Sequence, residues 1–486
     1  MPLKNKPQLI TYADSLGTNL QELHYVLNRY LKKSIGGVHI LPFYPSTADR
    51  GFCPTAYDIV DPKFGTWDDV EKIGKDFDLM ADFIPNHISR SSIFFQDYLK
   101  NGQKSEYYDM FLQIQKLWPE GRIPEEELKN IYLRKPSSPE TLIDFPDGHK
   151  EYIWQTFESD QQIDLDVNSP VYRNVYAGFF LYMLRRGVKL VRLDAVGYVT
   201  KKVGTSCFFV EPQIWEFLDW IKKFSDAFDA ELLPEIHGNW SYQQKFSDHG
   251  LRTYDFLLPL MTAQAIFDGY SPNLKNWLQV CPRKQVTTLD THDGIPVVDC
   301  EGYMKPEEME RTWQKMVNEY DAQINYNYSG DGTKEVYQID GSYYSLLGEN
   351  DDAYITARTV QMFAPGIPQV YYNGLLAGKN DFEAIHALAE KVGGWGRDLN
   401  RHNYDLNEAE KEFEKPVVKR LLKLMEFRSE CLAFDGELEV LESDSSTLNL
   451  IWKNQNHFAK AVIDLKNYKS EIEYTKPSGE VVSFVS

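Results

Sequence analysis

The chain has no CxxC pair, no internal repeat, no low-complexity tract and no long apolar run. Its five cysteines, Cys53, Cys207, Cys281, Cys300 and Cys431, are scattered through 486 residues. So sparse and odd a set argues for reduced thiols and against a disulfide framework or a zinc site. No stretch approaches the ~20 apolar residues that span a bilayer. The opening MPLKNKPQLITYADSLG has no long apolar core of a secretory signal, so a cytoplasmic protein with no membrane partner is expected. Positive charge is also short, with 52 Lys and Arg against 72 Asp and Glu and a net charge of -20. That balance argues against nucleic acid as a partner. Histidines are dispersed, and no metal or other cofactor is expected.

What is abundant is aromatic surface, at 14% of residues, which suits planar ligands such as sugars and equally suits core packing. Eight short apolar runs recur between amphipathic stretches: Gln8 to Tyr12, Gly37 to Pro42, Asp78 to Asn86, Lys189 to Leu193, Glu231 to Ile236, Tyr254 to Leu258, Gln285 to Leu289 and Gln369 to Tyr372. Eight strands alternating with helices, with no glycine fingerprint after the first, predict an α/β (β/α)8 TIM barrel rather than a doubly wound sheet. The expected barrel comprises 1–87, 169–293 and 350–433. A subdomain is inserted at 88–168 after strand three, and a second at 294–349 after strand seven. From 434 to 486 the pattern alternates with period two, which predicts a closing antiparallel β domain.

The stretch KLVRLDAVGYVT carries the first chemical signal. Arg192 and Asp194 are two apart, so on a strand they share a face. The guanidinium would hold the carboxylate ionised. Taken alone, a buried structural ion pair explains them equally well. Other strand ends add Asn86 and His87, Glu235 and His237, and the run Asp290-Thr291-His292-Asp293. Three carboxylates converging on the C-terminal mouth of a barrel fit glycosyl transfer, in which one attacks the sugar and another protonates the leaving oxygen.

These segments, DFIPNH, VRLDAVGYV, PEIH and LDTHDG, resemble the four conserved regions of the α-amylase superfamily, glycoside hydrolase family 13. LITYADSLG, GGVHILPF, STADRGF, GTSCFFVEP, PGIPQVYYNGLLAGKND and GRDLNRHNY are similar to its sucrose phosphorylase subfamily over essentially the whole chain. The resemblance implies Asp194 as nucleophile, Glu235 as general acid and Asp293 as transition-state stabiliser. It implies Asp49, His87, His292 and Arg401 as binders of the glucosyl ring, and Arg192 as the group that orients Asp194. His237 joins the substrate-binding set, and Phe52, Phe157 and Tyr198 wall the site. Phosphate is then a co-substrate, and the partners are a small sugar and phosphate, with the protein a monomer or a homodimer.

On the acceptor side the resemblance points to two loops. One is Tyr132-Leu133-Arg134-Lys135-Pro136, with Arg134 and Lys135 as candidates for phosphate. The other ends in Lys334-Glu335-Val336-Tyr337-Gln338, where sucrose phosphorylases usually carry Leu-Asp in place of Lys334-Glu335. Lys334 is expected to add a cation for a phosphorylated acceptor, and Glu335 to take hydroxyl bonds from a shifted position. Sucrose and sucrose 6'-phosphate come first as substrates. Glucosylglycerol or glucosylglycerate phosphorolysis, and hydrolysis by a family 13 α-glucosidase, stay open. A non-catalytic sugar binder is disfavoured because Asp194, Glu235 and Asp293 are all present.

Overall fold

The computed structural model describes residues 2–157, 160–389 and 396–486. Residues 158–159 of the first expected insertion and 390–395 of the expected barrel lie outside them. All eight expected strands are present. They are β1 (Gln8–Thr11), β2 (Gly37–Ile40), β3 (Asp78–Phe83), β4 (Val188–Leu193), β5 (Glu231–Pro234), β6 (Thr253–Asp255), β7 (Gln285–Thr287) and β8 (Ile367–Tyr371). Most stop short of the apolar runs that announced them. The polar residues at the run ends, Asn86, Glu235 and Asp290 among them, therefore lie in the loops that follow.

The chain folds as two compact units. The first is formed chiefly by Ile40–Ile236 and Tyr326–Glu335. In it β3, β4 and β5 pair in parallel, with Asp82 opposite Arg192 and Leu233 opposite Arg192 on the other side. Every residue of β3 is buried, and in β4 only Lys189 is partly exposed, as expected for parallel strands covered on both faces. The helix Pro170–Arg185 that precedes β4 starts where Ser169 caps Val171 and Tyr172 and Pro170 fills the first turn, a strong start signal. Tyr57 fixes the end of β3, its hydroxyl accepting from Ile84 N at 2.9 Å and donating to Ile84 O at 3.2 Å.

The first insertion consists of short pieces, among them Glu140–Asp144 paired with Lys150–Trp154, and Gln162–Asp164 paired with His87–Ser89. The hairpin tip of the second insertion belongs to this same unit. Its Tyr328 and Ser329 pair antiparallel with Leu133 and Tyr132 of the first insertion.

The second unit holds Leu3–His39, His237–Asn325 and Val336–Ser486. There β1 pairs with β8, β8 with β7 and β7 with β6, all parallel. Five antiparallel strands follow in sequence order, from Glu437–Leu441 to Val481–Val485. They pack on the helices Asp351–Phe363 and Pro416–Glu430, with Trp452 Nε1 donating to Phe363 O at 2.8 Å. Among the described residues no helix is long and apolar enough to cross a membrane.

Candidate active site

In the first unit the site is built around Arg192. Its Nη1 donates to Asp194 Oδ1 at 2.9 Å and to Asp82 Oδ1 at 2.5 Å, while Nη2 pairs with Glu235 Oε1. Adjacent parallel strands explain the meeting. Asp194 follows the end of β4 and Glu235 the end of β5, and each is carried by a ladder bond, Asp194 N to Phe83 O and Glu235 N to Leu193 O, both 3.0 Å. The Arg192 side chain is 3% exposed, against 13% for Asp194 and 11% for Glu235, so the carboxylates are more accessible to solvent than the guanidinium. The Arg192 guanidinium also lies over the Phe52 ring, 5.3 Å from Cζ to the centroid, a cation–π contact.

The backbone turns sharply after the nucleophile candidate. Ala195 is left-handed at φ 53°, a conformation uncommon for a side chain with Cβ and frequent at functional sites. This turns its N–H toward Glu235 Oε2, 3.4 Å away. A short turn, Val196–Tyr198, then places Tyr198 among aromatic rings, edge-on to Phe157 at 5.4 Å and tilted against Phe208 at 4.9 Å. Burial pushes the Tyr198 phenol well up. Arg134 opposes that rise, and Glu235, Asp194 and Glu335 reinforce it. The same hydroxyl thus feels both catalytic candidates and two of the acceptor candidates.

His87 is buried with its Nε2 donating to Phe52 O at 2.8 Å and its ring edge-on to Phe157 at 5.2 Å. Burial lowers its pKa, while Asp164, the Phe52 carbonyl and Asp49 push the other way. Asp49 and Arg50 are both left-handed, at φ 47° and 46°, so a tight turn sets Asp49.

The acceptor candidates of this unit also cluster. Arg134 Nη1 donates to Asn327 Oδ1, Asn327 donates to the Tyr132 hydroxyl, and Glu335 Oε1 lies 3.5 Å from Asn327 Nδ2. Lys135 is buried. Lys334 lies on the strand face opposite its neighbour Glu335, with its ammonium 4.1 Å from the centroid of the Tyr326 ring. Strand alternation accounts for this, since adjacent residues point to opposite faces.

In the second unit Asp293 is ringed by positive and proton-bearing groups. Its Oδ1 is 2.9 Å from Arg397 Nη1 and 3.9 Å from Arg401 Nη2, and Oδ2 is 3.5 Å from His292 Nε2. Arg401 Nε in turn donates to His292 O at 2.9 Å. Asp290, at the head of the same run, is instead locked at 2.6 Å to the fully buried Arg358, a structural role. Asp340 sits beneath this cluster, where a Cβ on Gly294 would come within 2.4 Å of its Oδ1 and one on Gly396 within 2.5 Å of its Oδ2. Glycine at both positions lets the backbone close over a carboxyl group. His237 bonds Asp299 at 2.9 Å through Nδ1 and meets the ring of Tyr337 edge-on at 5.4 Å, with Gln338 at its other nitrogen.

Several residues in or beside these clusters are not evident from the sequence. Asp82 lies inside a strand run, and Asn327, Asp299 and Asp340 lie inside an insertion whose tip alone carries a motif. Arg397 stands in GRDLNRHNY beside Arg401, which the resemblance singles out instead. Lys201 is the largest omission. Its ammonium is buried and bonds Asn86 Oδ1 at 2.7 Å, Asp164 Oδ2 at 2.5 Å and Tyr198 O at 2.5 Å. A lysine just after the turn that follows Asp194, opposite an acid in DLDVNSP, was the available signal.

Comparison with known proteins gives a consistent result. Residues 11–294 match the α-amylase catalytic domain family. The chain is 45% identical, over the full length of both, to sucrose 6(F)-phosphate phosphorylase of Thermoanaerobacterium thermosaccharolyticum. It is 44% identical to sucrose phosphorylase of Streptococcus mutans, over 96% of this chain and 97% of that one. It is 42% identical to glucosylglycerol phosphorylase of Marinobacter adhaerens, over 98% of each. The crystal structure of sucrose 6F-phosphate phosphorylase from Thermoanaerobacter thermosaccharolyticum superposes with a TM-score of 0.95, over 100% of this chain and 98% of that one. The fold is accordingly the expected (β/α)8 barrel with a C-terminal antiparallel sheet.

Proposed function

This chain belongs to the α-amylase superfamily, glycoside hydrolase family 13, and on that footing we propose that it is a glycoside phosphorylase working with retention through a glucosyl ester on Asp194. One observation carries the reading. A single dry guanidinium, Arg192, holds Asp194 and Glu235 side by side at the ends of neighbouring strands. Three carboxylates on one guanidinium, counting Asp82, leave two negative charges uncompensated. A proton on Glu235 relieves one of them and is the proton that the departing oxygen needs. Asp194, held in line by Nη1, attacks the anomeric carbon as that oxygen leaves. Asp293, with Arg397, Arg401 and His292 around it, serves the sugar hydroxyls and the developing positive charge. Phosphate then opens the ester from the vacated face, and two inversions give α-glucose 1-phosphate. Tyr198, Phe157 and Phe52 exclude water, which favours phosphate over hydrolysis.

For the acceptor, sucrose or sucrose 6'-phosphate stands first, supported by relatives acting on each. Arg134, with Lys135, supplies the cation for phosphate or a phosphorylated sugar. Lys334, turned onto Tyr326, does not share the Arg134–Glu335 face. Glucosylglycerol is the second reading, favoured by Glu335 in place of the usual aspartate and by the Marinobacter relative. The deciding experiment supplies glucose 1-phosphate with fructose, fructose 6-phosphate, glycerol or glycerate and compares kcat/KM. Highest efficiency with fructose or its 6-phosphate is expected. Preference for glycerol selects the second reading, and release of free glucose with every acceptor overturns phosphorolysis.

A further inference from the structure

Asp299 lies in the turn Val298–Cys300, is wholly buried, and bonds the imidazole of His237. Its Oδ2 is 2.9 Å from His237 Nδ1, and its Oδ1 accepts from Gly238 N at 3.3 Å. The imidazole has little freedom. It stacks on Phe256 at 4.1 Å between centroids and meets Tyr337 edge-on. Its other nitrogen, Nε2, lies 3.4 Å from Gln338 Nε2. Gln338 Oε1 is buried and has no hydrogen-bond partner among the described residues. Besides Asp299, Tyr337 and Asp293 are titratable groups of this unit that face the ring, the latter with a carboxylate oxygen within 4.8 Å of an imidazole nitrogen.

A carboxylate on Nδ1 makes that nitrogen the proton carrier, so neutral His237 presents a lone pair at Nε2. In that state Gln338 donates its amide N–H. If Nε2 gains a proton, His237 becomes a donor on both sides, and Gln338 can turn its unpartnered oxygen to meet it without giving up a bond made by that oxygen.

We propose that Asp299 is a positioning residue that makes His237 and Gln338 a hydrogen-bond pair of reversible polarity. The pair serves two alternating ligands of the acceptor side, a neutral sugar hydroxyl and then a phosphate anion. This rests on the acceptor-side role of Tyr337 and Gln338 in the proposed function. With the sugar in place His237 is neutral, Nε2 accepts from Gln338 Nε2, and the otherwise unpartnered Gln338 Oε1 accepts from the sugar hydroxyl. With phosphate in place the proton of dihydrogen phosphate passes to Nε2, Nε2–H donates to the turned Gln338 Oε1, and the Gln338 amide N–H donates to the hydrogen phosphate dianion while Asp299 balances the imidazolium. No proton is gained or lost overall. Burial raises the Asp299 carboxyl and the His237 charge pulls it back down, consistent with a pair that shares its charge.

The variant that separates charge from orientation is Asp299→Asn. Its side-chain oxygen still accepts from Nδ1–H and keeps the neutral ring in place, but it cannot balance an imidazolium. The expected result is a KM for phosphate raised roughly 10- to 100-fold, the scale of a hydrogen bond to a charged group. The KM for the sugar acceptor in the synthetic direction changes by less than about threefold, within the scatter of a neutral hydrogen bond. Asp299→Ala, which loses both functions, raises both constants. Equal changes in the two constants for Asp299→Asn overturn the proposal. So does a phosphate constant that does not move.

A second measurement is independent of turnover. The imidazole nitrogens of His237, followed by nitrogen-15 NMR, should gain imidazolium character when inorganic phosphate is added to the parent and not when it is added to Asp299→Asn. If the parent forms no glucose 1-phosphate, the proposed function fails, and this titration still decides the role of Asp299.

Discussion

Asp340 is almost wholly out of water, and its carboxyl is pushed up to about 7. Burial is the main cause; Arg397 and Arg401 pull it back down, and Asp293 and Asp398 add to the rise. An acid whose folded value lies above its unfolded value binds a proton in the fold that the unfolded chain has released. The stability it contributes is therefore present at low pH and falls as pH climbs from about 4 to about 7. Asp340→Asn keeps the shape and removes the titration. Its melting temperature should exceed that of the parent at pH 8, with the gap closing toward pH 4. A rise from the ordinary carboxylate value to about 7 sets a ceiling of about 4 kcal/mol on that gap. A variant less stable than the parent at pH 8 contradicts this account of the cluster. Asp255, pushed up to about 6 by burial, adds a slope of the same sign to both proteins and cancels in the comparison. Nothing local in YQIDG announces such an acid, because its environment comes from glycines and arginines distant in sequence. Lys334 is the converse case. Its facing away from Glu335 follows from period-two alternation, a rule that applies to the sequence directly once the segment is taken as a strand.

At the scale of elements, the strands were legible because a parallel strand covered on both faces must be a nearly continuous apolar run. Their ends were less so, since the ladder stops where polar residues leave for the loops. The joints between elements were not legible at all. Lys201 is one such joint: its ammonium ties the strand Gln162–Asp164 of the first insertion to Asn86 after β3 and to the Tyr198 carbonyl after β4. Asp164 also accepts from Thr156 N at 2.9 Å and from the Thr156 hydroxyl at 2.6 Å. Replacing Lys201 by Met fills the space and strands a buried carboxylate. The expected loss is about 3 to 5 kcal/mol in urea unfolding. A loss below about 1 kcal/mol, the value of a surface pair, contradicts the view that this ammonium is what holds the insertion down. A second joint is the pairing of Tyr328 and Ser329 with Leu133 and Tyr132. It brings the two acceptor loops, some 190 residues apart in the chain, into one ladder with Asn327 at its centre.

Over the whole molecule, the fold was legible, and three catalytic candidates could be named, because short motifs at strand ends stood in a known order. The placement of the acceptor residues was not, since it depends on which loop tip packs with which insertion. The nucleophile, the acid and the Arg134–Asn327–Glu335 cluster lie in one compact unit, and Asp293 and the His237–Asp299 pair in the other. A chain of net charge -20 takes an anion as co-substrate only where cations are concentrated, as at Arg134. The central claim is that phosphate opens a glucosyl ester on Asp194. The direct measurement treats Glu235→Gln with α-glucosyl fluoride, whose leaving group needs no acid, and maps the trapped sugar by mass spectrometry of peptides. The account predicts one hexose on the peptide containing Asp194, discharged by added phosphate as α-glucose 1-phosphate. A hexose on another residue, or one on Asp194 that phosphate fails to release, contradicts it.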